Sequence, residues 1–160
     1  MWNPAALKGS QTPQNCHNCP VARQETSTNG NGASNGRKRQ MNRRERMAEI
    51  IERDGPYCVW CSAPLNLTLN PPTTEHLVPR IKGGPSWIEN ELAACKRCNN
   101  ERGHQSPAGW IHDCEGMGRT PRVDVVITAL ERLQTAITER GGIRRARPYI
   151  ASQLRRLRNR

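Results

Sequence analysis

The chain contains no phenylalanine, and its few Trp and Tyr residues bring the aromatic fraction to only 4%. Hydrophobic residues make up 34% of the sequence. That is thin material for a core, and small chains with thin cores are usually stapled by disulfides or metal. No apolar run approaches the length of a transmembrane helix. The opening residues, MWNPAALKGSQTPQNC, include no apolar stretch of the secretory kind. These absences lead to the expectation of a cytoplasmic protein with no membrane partner. In a reducing cytoplasm, paired cysteines more often bind metal than form disulfides.

Acidic residues are also scarce. Lys and Arg number 25 against 14 Asp and Glu, for a formal charge of +11. Arg dominates, and its planar fork matches phosphate geometry. A polyanion is the natural partner, and nucleic acid is the commonest one. The alternative is a merely soluble basic protein. A length of 160 residues suits one compact domain with tails.

The chain divides into three parts. Residues 1–36 include ETSTNGNGASNG, a composition that reads as a disordered tail. Residues 37–106 hold the dense part, and residues 107–160 read as a helical basic extension. Within 37–53, Met47, Ile50 and Ile51 give a short helical stripe, ended by Gly55 and Pro56. LNLTLN alternates like a strand, and TTEHLV is a second extended stretch. CKRCNNERGHQ opens a helix that Pro107 would stop. Val123, Val126, Ile127, Leu130, Leu133 and Ile137 mark an amphipathic helix over 122–140. It packs on the core or on a partner, which allows a homodimer. From Arg140 to Arg160 there are eight arginines and no acid.

Seven cysteines are present. Cys58-x-x-Cys61 and Cys95-x-x-Cys98 have knuckle spacing, which lets each pair place two thiolates on one tetrahedral zinc. Such a site would contribute folding free energy directly. The competing readings are four unligated core cysteines or a redox dithiol. Cys16, Cys19, His112 and Cys114 could compose a second zinc site, against incidental thiols in a tail.

Between the knuckles lies TTEHLVPRIKGG, residues 73–84. Asn90 follows it, and Asn99 comes directly after the last cysteine. In order and spacing, CVWC, EHLVPRIKGG, ENELAAC and CKRCN resemble the HNH endonucleases that carry a four-cysteine zinc site. The resemblance covers about residues 40–105. It implies a small α+β fold: a ββα-metal core (HNH/His-Me finger) stapled by a four-cysteine zinc, with flanking basic helices.

The same resemblance implies roles for individual residues. His76 would deprotonate the attacking water, a task suited to imidazole. Glu75 and Asn99 would hold a catalytic Mg²⁺ or Mn²⁺ through oxygen. Asn90 would hold the loop and so orient His76. The family more often has Asp at the first ligand and His at the last position. Asn99 tilts the site toward Mg²⁺ or Mn²⁺ over Zn²⁺ or Ni²⁺. Arg80, Lys82, Arg97 and Arg102, with Arg43, Arg44, Arg155 and Arg156 on the flanking helices, are the expected nucleic-acid contacts. His104 is either exposed or close to the catalytic metal.

The expected function is metal-dependent hydrolysis of DNA phosphodiester bonds. The alternative is a zinc-stapled nucleic-acid-binding module without catalysis. Proteins of this type resemble those of phages and mobile elements, which points to a bacterial or phage-infected cell and to packaging, homing or restriction.

Overall fold

The computed structural model describes residues Arg39–Arg160. Among these residues there are two strands and five α-helices. Helix α1 spans Arg43–Asp54, strand β1 Pro72–His76, strand β2 Glu91–Cys95, α2 Lys96–Arg102, α3 Pro107–Gly116, α4 Val123–Arg140 and α5 Ala146–Arg158. Short 3₁₀ turns lie at Arg80–Lys82 and Ile88–Asn90. No helix among the described residues is long and apolar enough to cross a membrane.

The centre is a β-β-α unit. β1 and β2 pair antiparallel, with Pro72 opposite Cys95, Glu75 opposite Leu92 and His76 opposite Glu91. All five residues of β2 are buried, so this strand runs through the core. α2 follows without a break. Cys95 serves as its N-cap, its sulfur accepting from the Cys98 N–H at 3.4 Å. The knuckle and the helix start are therefore the same local structure.

Helix starts follow side-chain capping. Asn42 accepts from the backbone of Arg44 and Glu45, and the Glu45 carboxylate reaches back to the Asn42 N–H at 2.9 Å. This capping box starts α1 at Arg43, later than the basic run suggested. Residues 37 and 38 lie outside the described residues. Pro107 opens α3 rather than stopping α2, with the Ser106 hydroxyl accepting from the Gly109 N–H at 3.2 Å. α2 ends earlier, at Gly103, which has φ +53°.

The strand expected at LNLTLN is a turn. Asn66 Oδ1 accepts from the Leu69 N–H at 2.6 Å and the Thr68 N–H at 3.2 Å, closing the chain on itself. A local side-chain bond outcompetes the alternation. Leu67 and Leu69 are left 87% and 86% exposed.

The stretch from 107 onward is not an appendage. A single apolar cluster runs from Cys58, Val59 and Trp60 through Leu92 and Ile111 to Leu133, Ile150, Leu154 and Leu157. α5 carries its arginines on one face and buries Ile150, Leu154 and Leu157 on the other. Each such side chain contributes roughly 1.5–3 kcal/mol by burial. Removing 141–160 would therefore open the core, not merely subtract charge.

Candidate active site and zinc centre

The double glycine of PRIKGG has two distinct causes. Gly83 has φ +83°, a left-handed conformation that closes the 3₁₀ turn. At Gly84 a Cβ would stand 1.8 Å from the Val78 carbonyl oxygen. Only glycine fits there, because the loop folds back onto its own start.

Asn90, fully buried, locks that fold-back. Its Oδ1 accepts from the Val78 N–H at 2.8 Å, and its Nδ2 donates to the carbonyls of Val78 at 3.0 Å and Pro85 at 2.9 Å. Its own carbonyl accepts from the Leu77 N–H at 2.9 Å. The residues directly after His76 are thus fixed by one side chain from the other end of the loop.

His76 ends β1, half-buried. Its Nε2 lies 3.7 Å from Glu91 Oε1, too long for a hydrogen bond but close enough for charge to matter. Glu91 is itself held by Arg46 of α1 in a two-pronged pair, at 2.9 and 2.6 Å. Burial pushes His76 below its ordinary pKa, opposed by Glu91 and assisted by Arg80, Arg46 and Arg102. The imidazole is therefore held neutral near pH 7.

Glu75 points into the protein, 2% exposed. One oxygen is paired with Arg102, while Oε2 is buried with no hydrogen-bond partner. Burial raises its pKa, and the Arg102 charge opposes that rise. Asn99 lies on α2 across from β1. Its Nδ2 donates to Thr73 Oγ1 at 3.0 Å and the Thr74 carbonyl at 3.2 Å. Both donor hydrogens are thereby engaged, and its oxygen accepts no hydrogen bond among the described residues. Glu75, His76, Arg80, Asn99 and His104 line one cleft of about 210 Å³. Glu75 lines the cleft with its Oε2 shielded from solvent, and with the free amide oxygen of Asn99 it offers the oxygen ligands that a hard divalent cation takes. His104, although exposed, belongs to this cleft.

Arg102 is not a nucleic-acid contact. It is 1% exposed, pairs with Glu75, donates to the carbonyls of His76 at 3.0 Å and Leu77 at 2.8 Å, and lies 5.0 Å over the Trp60 ring. A side chain held that way cannot reach phosphate. Arg43, Arg44, Arg80, Lys82, Arg97, Arg155 and Arg156 are exposed. The roles of Arg46 and Glu91 went unread in the sequence. Asn99 and Arg102, at i and i+3, share a helix face, and that spacing was a usable signal for Arg102.

The four knuckle cysteines converge, with all sulfurs within 4.8 Å of one another. Cys58, Cys95 and Cys98 are buried and Cys61 partly so. Cys58 Sγ accepts from the Cys95 N–H at 3.3 Å, and Arg119 Nη1 approaches Cys98 Sγ at 3.6 Å. Hydrogen bonding from the Cys98 thiol, against the cost of burial, holds Cys58 at about 5. N–H donors and a guanidinium around a sulfur cluster favour thiolates, as a structural zinc requires. Cys16 and Cys19 lie outside the described residues. His112 is exposed and Cys114 buried, so these two do not converge on α3.

Residues 58–113 match the family model described as HNH endonuclease. The chain is 29% identical over 94 residues to the CRISPR-associated endonuclease Cas9 of Corynebacterium diphtheriae, covering 58% of this chain and 8% of that protein. The crystal structure of the type II-C Cas9 enzyme from Actinomyces naeslundii superposes with a TM-score of 0.45 at 22% identity, over 76% of this chain and 12% of that one. The chain thus spans about a tenth of the length of these relatives.

Proposed function

We propose that the chain is a metal-dependent DNA endonuclease that hydrolyses phosphodiester bonds from the cleft of Glu75, His76 and Asn99. The carrying observation is that these residues meet in one cleft inside the matched segment 58–113. DNA as substrate is supported by the curated relative, itself named an endonuclease, and by the excess of Lys and Arg.

His76, kept neutral by burial, accepts a proton from water. The resulting hydroxide attacks phosphorus, and the bond to the 3′-oxygen breaks. That oxygen takes a proton from solvent, leaving 5′-phosphate and 3′-hydroxyl ends. Asn90 keeps His76 in place by fixing the loop behind it. Glu75 and Asn99 would hold Mg²⁺ or Mn²⁺ through carboxylate and amide oxygen. Bound there, such an ion supplies charge stabilisation at the phosphate and leaving oxygen. Cys58, Cys61, Cys95 and Cys98 would hold zinc, which ties β2 and α2 to the segment before β1.

The test is supercoiled-plasmid nicking by wild type and His76→Ala with added Mn²⁺ or Mg²⁺. The variant should lose about 10²–10⁴-fold in rate while its circular dichroism and DNA binding stay as in wild type. Equal nicking rates would remove His76 as the base. A wild type that binds DNA and never nicks would leave a binding module instead.

A further inference from the structure

The turn between α4 and α5 has three successive left-handed residues, Gly141 at φ +75°, Gly142 at +76° and Ile143 at +47°. For a β-branched residue this is a genuine outlier. Strain of this kind persists only where the surroundings over-determine it, and it concentrates at functional sites. Ile143 packs partly against the core, and its carbonyl accepts from the Ala146 N–H at 3.1 Å. The strained turn is therefore anchored to the core at one end and to the start of α5 at the other.

What the turn presents is Arg144 and Arg145, both exposed. It does so against the loop that follows His76. A methyl group built on Gly83 would stand 3.1 Å from Arg145 Cβ and 3.4 Å from the Ala146 nitrogen. That loop carries Arg80, which lines the cleft, and Lys82. Two pairs of cations from distant parts of the chain are thus gathered at one edge. None of the four forms an ion pair with an acid among the described residues. Other arginines of the C-terminal stretch are matched: Arg140 with Glu89, Arg158 with Glu131 and Arg160 with Glu115. A group of like charges left without acids beside a cleft is destabilising alone and favourable against a polyanion.

We propose that Arg144 and Arg145, with Arg80 and Lys82, form a composite phosphate-binding rim that holds the backbone of duplex DNA at the mouth of the His76 cleft. This deepens, and rests on, the reading of the chain as acting on DNA. It separates the turn, which binds phosphate, from Arg140, Arg158 and Arg160, which secure the helices; Arg147, Arg155 and Arg156 of α5 are exposed and form no ion pair with an acid among the described residues.

Fluorescence anisotropy of a labelled duplex oligonucleotide, without added Mg²⁺ or Mn²⁺ and over a salt series, tests the rim with the full chain. Each phosphate that is no longer neutralised lowers the slope of log affinity against log salt by about 0.9, so Arg144→Gln with Arg145→Gln should lower it by about 2. Arg158→Gln with Arg160→Gln should leave it unchanged. An unchanged slope in the first pair, or equal reductions in both pairs, overturns the rim. Circular dichroism melts matching wild type establish that both variants keep the fold. Because binding is read without catalysis, failure of nicking removes only the nuclease reading, and failure of this comparison removes only the rim.

Discussion

Arg102 of α2 is buried with its guanidinium on the Glu75 carboxylate and on the carbonyls of His76 and Leu77. One side chain thus fixes the end of β1 on which the cleft depends. The pair also carries a liability. Glu75 left alone would be a buried carboxylate without a counter-charge, and Arg102 left alone a buried cation.

Breaking the pair from either side is therefore expected to cost about 3–5 kcal/mol, and breaking it from both sides less than the sum. Urea unfolding of Arg102→Met, Glu75→Gln and the double variant measures this. Strictly additive single effects would show that the two groups do not couple. A practical consequence follows for metal binding. Glu75→Ala confounds folding with ligation, whereas Asn99→Ala removes a partly exposed amide and is the cleaner probe.

Cys95→Ser is expected to lose the zinc and unfold the domain. The sulfur of Cys95 lies in the four-cysteine cluster and also caps α2. Structural zinc contributes about 10–16 kcal/mol in small domains, as much as the whole stability of most domains. Elemental analysis should find about one zinc per chain in the wild type and none in the variant. Folded wild-type protein free of zinc would remove the zinc centre.

Cleavage should lose rate on acidification with a midpoint below pH 6.5, the ordinary histidine value. The direction comes from burial, which lowers His76 more than Glu91 raises it. A base must be neutral to accept a proton, so the rate is full above the His76 pKa and falls as pH drops through it. A divalent cation beside Glu75 would lower that pKa further and leave the sign unchanged. The pH profile of kcat/KM reads this value. A midpoint above the ordinary value would show that the imidazole is stabilised in its charged form.

Local chemistry was legible wherever the signal was short in sequence. Cys-x-x-Cys spacing, Glu75-His76 at a strand end, the apolar spacing of α4 and the glycine after α1 all depend on neighbours within a few residues. LNLTLN misled because alternation describes a strand only if nothing closes the chain locally, and Asn66 does. Arg102 misled for a different reason. Arginine is exposed by default, and nothing near it in the chain announces that Glu75 and Trp60 enclose it.

The sequence by itself determined the two Cys-x-x-Cys knuckles, the carboxylate-histidine pair between them and the positive charge, because spacing and composition are properties of the chain. The tertiary structure alone decided which charges are available. It buried Arg102 against Glu75, matched Arg158 and Arg160 with acids of other helices, and set Arg144 and Arg145 beside Gly83. The reason is physical: whether a charge meets a counter-charge or solvent depends on distances of a few ångström between elements far apart in the chain, and these distances exist only once the helices have packed.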